Sequence, residues 1–179
     1  MPFSRLEQNA RKVAFGRART RNDIRRDMRE LTLTALRSRV LTLPHVAAVA
    51  IAIANGIDPA KVSSPSRAPA SRSRAQEGLV EAVIKALAAL DVATQEYVSV
   101  GGRICAAEAG EWLAALEAIG AIDGKELAAR LATLEKALRA AESAESAETS
   151  YALALLASGA LLGLIEADRA VPAKSLNAS

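Results

Sequence analysis

From Leu79 to Val100, apolar side chains recur at Leu79, Val83, Ala86, Leu90, Ala93, Tyr97 and Val100, in steps of four and three. At about 3.6 residues per turn this spacing puts them on one helical stripe, which Val80, Ile84 and Leu87 widen into a face that must leave water. A helix with such a face folds only against other helices. Hydrophobic residues make up 51% of the 179-residue chain, yet aromatics only 3%. The core must therefore be thin, built by helices that approach closely through alanine.

A second strong stripe follows at Leu127, Leu131, Leu134, Leu138 and Ala141, introduced by Asp123 and Glu126 at capping-box spacing, with Asp in the Ser/Thr position. Between the two stripes, Gly101-Gly102 predicts a turn or kink. Ile104, Trp112, Leu113, Leu116 and Ile119 predict a shorter helix, and Gly120 to Gly124 a further turn. Turns this short reverse the chain. The reading is all-α: an antiparallel helical bundle with long amphipathic helices. The low-complexity run from Ala141 to Glu148 is expected to extend the second helix into solvent.

The N-terminal part reads differently. Phe3, Leu6, Ala10 and Val13 make only a narrow stripe, expected of a solvated tail. Asn22 is a capping residue, and Ile24, Met28, Leu31, Ala35 and Leu36 line a helix to about Leu41. Leu43-Pro44-His45 opens the next helix and Asn55-Gly56 closes it. Its centre also alternates at period two, but abundant alanine and the lack of a second strand favour helix. Residues 62–74, VSSPSRAPASRSR, read as a linker that buries nothing. The expected organisation is a basic helical unit (1–61), this linker, an acidic Ala-rich bundle (75–168) and a disordered tail (169–179).

Charge follows the same division. Residues 1–74 hold 15 Lys and Arg against 5 Asp and Glu, and the remainder 8 against 15. The halves attract, so contact within the protein or between copies is the first reading. Arg17, Arg19, Arg21, Arg25, Arg26 and Arg29 are the candidate anion-binding residues, sufficient for salt-dependent attraction to nucleic acid. No zinc finger, aromatic RNA-binding pair or helix-turn-helix accompanies them. Nucleic acid is the less favoured partner.

No charge occurs between Glu148 and Glu166, and Gly159 and Gly163 form a GxxxG spacing. Seventeen residues of helix rise about 26 Å, short of a hydrocarbon core of about 30 Å. A buried or docked helix is preferred to a membrane span. Leu155, Gly159, Leu162 and Gly163 are its candidate contacts with an apolar surface or membrane.

Chemistry is sparse. His45 has no ligand-spaced companions and is expected at a cap or surface. Cys105 is read as a small core residue, and Glu108 with Glu111 lacks the Glu-x-x-His set of di-iron bundles. No phosphate-binding loop, dinucleotide fingerprint or nucleophile elbow is present. The sequence predicts no enzyme, metal or cofactor, and with no secretory segment a cytoplasmic location.

The segments IRRDMRELTLTALRSRVLTLPHVAAVAIAIANGI and GLVEAVIKALAALDVATQ resemble uncharacterised proteobacterial helical proteins known only as a domain of unknown function. More distantly, the Ala-rich bundle looks like phasins, which coat polyhydroxyalkanoate granules. The resemblance carries over no functional residue. The excess of Ala-rich apolar helix, above all Val46 to Ile53 and Thr149 to Ile165, over what one small core needs points to a structural or interaction role, with a second copy or another helical protein as partner and a hydrophobic granule or membrane surface as the alternative. The association face is expected at Leu79, Val83, Leu90, Tyr97, Leu127, Leu131, Leu134 and Leu138.

Overall fold

The computed structural model describes residues 5, 8, 9, 24–57, 69–122, 124–143 and 149–169. Among them lie α1 (Ile24–Arg37), α2 (Leu43–Ile57), α3 (Pro69–Ser99), β1 (Ile104–Cys105), α4 (Ala106–Gly120), α5 (Lys125–Ala141), β2 (Glu142–Ser143) and α6 (Thr149–Arg169). The expected all-α bundle is what forms.

Helix α3 is the axis. Leu79, Val83, Ala86, Leu87 and Leu90 are fully enclosed and Ala93 nearly so, whereas Tyr97 is half-buried and Val100, past the helix end, is 81% exposed. The long stripe thus works as read except at its last position. Helices α1, α2, α5 and α6 all pack on α3, and α4 packs on α2 and α5.

The direction of each helix follows from its neighbours. Gly78 on α3 lies against Arg25 and Arg29 at the start of α1, and Gly124, just ahead of α5, lies against Val80. Thr133, Lys136 and Ala140 of α5 then meet Gln95, Val98 and Ser99 of α3. Helix α5 therefore runs the same way as α3, and α4 must return between them. Gly159 and Gly163 face Ala93 and Ala89 in the opposite sense, so α6 is antiparallel to α3. Helix α6 thus opposes α3, while α3 and α5 run parallel, so the bundle is not antiparallel throughout.

Helix ends show where local chemistry overrode periodicity. Helix α1 stops at Arg37, short of Leu41, where Ser38 Oγ donates to Ala35 O at 2.6 Å and competes with continuation. Helix α2 runs through Asn55-Gly56 to Ile57. Glycine there costs about 1 kcal/mol, but burial of Ile57, 2% exposed, contributes about 2 kcal/mol. Pro69 opens α3, so 69–74 is helix rather than linker: proline at a first turn gives up only an N–H that the helix does not use. Helix α3 ends as expected at Gly101, φ +81°, with Gly102 N donating to Tyr97 O (2.8 Å) and Gly101 N to Val98 O (2.9 Å). This is the paired closure that a left-handed residue permits.

Beyond Ala141 the expected solvated helix does not continue. Glu142 turns extended (φ −63°, ψ 134°), and Glu142 and Ser143 pair in parallel with Ile104 and Cys105. The N-cap of α5 is Gly124 rather than Asp123. His45 is not at the surface: it is 9% exposed, with Nε2 3.3 Å from Ala35 O. Cys105 is buried, as read. One core spans both sides of the Ser/Pro/Arg segment, from Ile24 and Leu36 through α3 to Leu164. Arg5, Gln8 and Asn9 are helical and exposed. Arg169, expected in the tail, is the last residue of α6; the tail stripe at Phe3, Leu6, Ala10 and Val13, the cap at Asn22, Asp123, residues 58–61, linker residues 62–68, residues 144–148 and tail residues 170–179 lie outside the described residues.

Candidate functional site

Three cations converge on one carboxylate where α1, α3 and the end of α6 meet. Asp168 of α6 accepts from Arg37 at Oδ2 and from Arg29 at Oδ1 (3.4 Å), and Lys85 Nζ lies 3.8 Å from Oδ1. The four side chains are between 21% and 32% exposed, so solvent screens this cluster less than a surface pair. Nearby, Arg25 pairs with Glu77 (3.9 Å) and with Glu81 on α3. Two helical periodicities produce the arrangement. Arg25 and Arg29 are one turn apart on α1, and Glu77, Glu81 and Lys85 form an i, i+4 ladder on α3.

The electrostatics of the cluster are asymmetric. Burial pushes the Lys85 ammonium below its usual value, and Arg29 and Arg37 deepen the effect against the pull of Asp168. Burial pushes the Asp168 carboxyl up, but the hydrogen bond from Arg37 and the charges of Arg37, Lys85 and Arg29 prevail and hold it below the ordinary 3.8. A carboxyl depressed on folding contributes stability above its unfolded pKa, and that contribution is lost as pH falls through the folded value. Urea midpoints should therefore fall on acidification below about pH 4, and Asp168→Asn should flatten that slope. Parallel pH profiles for the two proteins would refute the assignment.

Beside this cluster a groove of about 680 Å³ opens between α3 and α6, with Ala88, Ala89 and Ala93 facing Gly159 and Gly163. A Cβ placed at Gly159 or Gly163 would sit 3.7 Å from those of Ala93 or Ala89. The GxxxG spacing therefore serves close packing inside the chain. Val92 (57% exposed) and Leu162 (63%) border the groove, and Leu155 (47%) lies seven residues earlier on α6. Among the described residues, no helix is long and apolar enough to cross a membrane, and no group of three His, Cys, Asp or Glu could hold a metal ion.

Of the arginines singled out from the sequence, Arg25 and Arg29 bind acidic residues of α3 and α6, and Arg26 Nε donates to Glu30 at 3.0 Å. Arg17, Arg19 and Arg21 lie outside the described residues. Leu79, Val83, Leu90, Leu127, Leu134 and Leu138 are core, with Leu131 and Tyr97 half-buried against it, so this face is consumed internally. Lys85, Arg37 and Asp168 were missed. The available signal was Lys85 itself, a charge set among the apolar residues of VEAVIKALAAL.

A model of a family of unknown function, DUF6781, matches residues 3–122. The chain belongs to this family. The DUF6781 match takes in α1 through α4, and hence Arg29, Arg37 and Lys85, whereas α5, α6 and Asp168 lie beyond it. No curated protein and no solved structure matches the chain.

Proposed function

We propose that this protein is a non-enzymatic helical interaction protein that associates with a second copy of itself through the α3/α6 face. The observation that carries the reading is the exposure of Val92 and Leu162 on a groove that Ala88, Ala89, Gly159 and Gly163 also line, with Leu155 exposed about two turns before Leu162 on α6. A ridge and a groove of small residues on one face are self-complementary, which is what a two-fold interface between identical chains demands. Leaving the ridge in water forgoes burial worth about 25 cal/mol per Å². Coating of an apolar polymer granule, in the manner of phasins, is the surface-bound form of the same reading. Engagement of Arg25, Arg26 and Arg29 with acidic groups of the same chain weighs against a nucleic-acid role.

Light scattering at low and high salt tests this. The expected species is a salt-insensitive dimer, because apolar contact is not screened. Leu162→Glu should weaken dimerisation by at least about tenfold, since it places a charge in a desolvated interface, with helicity unchanged. A wild-type monomer that also ignores hydrophobic particles would overturn the proposal; a monomer that adsorbs to them would replace the second copy by a granule.

A further inference from the structure

We infer that Arg29, Arg37 and Lys85 form a binding site for a small phosphate-class dianion, in which Asp168 is a resident, partial occupant. Each cation reaches the same point from α1 or α3, and Asp168 lies within ion-pair distance of all three. Three positive groups against one negative leave an excess of two charges in a partly desolvated site. A dianion would neutralise it.

Hydrogen bonding points the same way. Arg37 Nε and Lys85 Nζ are shielded from water and lack a hydrogen-bond partner among the described residues. Buried donors of this kind are costly when unfilled, and doubly so when charged. Asp168 does not satisfy them in this arrangement: its oxygens accept from the terminal nitrogens of Arg29 and Arg37, and Lys85 Nζ stands at 3.8 Å, beyond a hydrogen bond. A tetrahedral oxyanion supplies acceptors in several directions at once, and a guanidinium fork with an ammonium suits it. Lys85 also lines the α3/α6 groove together with Glu166 and Ala167, so the dianion would enter from that groove as the Asp168 side chain swings aside. All three cations fall in the family-matched region and the carboxylate does not. The site draws on other side chains than the dimer reading, which rests on Val92, Leu155 and Leu162, but both open on the α3/α6 groove, so the phosphate test is run on the chain at a concentration where light scattering shows its oligomeric state.

Thermal unfolding of the full chain in inorganic phosphate, against chloride at equal ionic strength, tests the site; glycerol phosphate distinguishes a free phosphate from a phosphomonoester. The expected result is a phosphate-specific rise in the midpoint that Lys85→Met removes and that Lys125→Met, on the exposed start of α5, leaves intact. Asp168→Asn should tighten phosphate binding about tenfold by removing a competing charged acceptor. Equal midpoints in phosphate and chloride for wild type and Asp168→Asn would overturn the proposal. Should Asp168→Asn fail to fold, the wild-type and Lys85→Met pair decides alone: a phosphate effect that survives Lys85→Met refutes the site.

Discussion

Replacing Gly78 by alanine should lower the thermal midpoint by about 9 °C, from a loss of about 3 kcal/mol at about 3 °C per kcal/mol for a chain of this size. The cause is the crossing of α1 over α3. A Cβ at position 78 would meet Arg25 O at 2.1 Å, Arg25 C at 2.9 Å and Arg29 N at 3.1 Å. These are backbone atoms of α1, which cannot swing aside as a side-chain tip does, so the whole helix must lift. Lifting α1 also pulls Met28 and Leu36 out of a core in which both are fully enclosed, and it separates Arg25 from Glu81 and Arg29 from Asp168. Gly110 provides the control. A methyl group there would meet nothing within 4 Å, so Gly110→Ala should stabilise α4 by a few tenths to about 1 kcal/mol through helix propensity. Scanning calorimetry of the two variants should move in opposite directions; a Gly78→Ala protein as stable as wild type would show that α1 does not sit against α3 this closely.

Trp112→Ala should cost about 4 kcal/mol. Trp112 is the only tryptophan, 2% exposed on α4, where α4 packs on α2 and α5. The core it belongs to is largely alanine and leucine, with few long flexible side chains to swing into the vacated space, so the cavity term should add to the lost transfer energy. Urea unfolding followed by far-UV circular dichroism measures the loss without relying on the removed fluorophore. A cost under about 1 kcal/mol would mean that α2 and α4 collapse together and that the thin-core description is mistaken.

Much of this architecture was legible because alanine and leucine at steps of three and four admit one interpretation. Leu79 to Ala93 and Leu127 to Ala141 lie where their spacing puts them. What local pattern did not show was where an element yields to its surroundings. Ser38 ends α1 by bonding back to Ala35, Pro69 begins a helix in a segment whose composition suggested a linker, and Glu142 leaves α5 to pair with Ile104. The cation cluster was illegible for a related reason. Lys85 and Asp168 sit on different helices far apart in sequence, and only the antiparallel docking of α6 on α3 unites them. The dense arginine run, conspicuous in the sequence, leads in its described part to intrachain ion pairs.

The short pairing of Ile104 and Cys105 with Glu142 and Ser143 makes the segment between them a ring closed by hydrogen bonds. Its ends are held together before α6 begins, so the chain has already met the closure entropy that grows with loop length. Fraying of α6 from its C-terminus would then leave α4 and α5 tied at their shared end. Amide exchange in those two helices should accordingly be uncoupled from exchange in α6, giving two cooperative units in a bundle whose core is continuous.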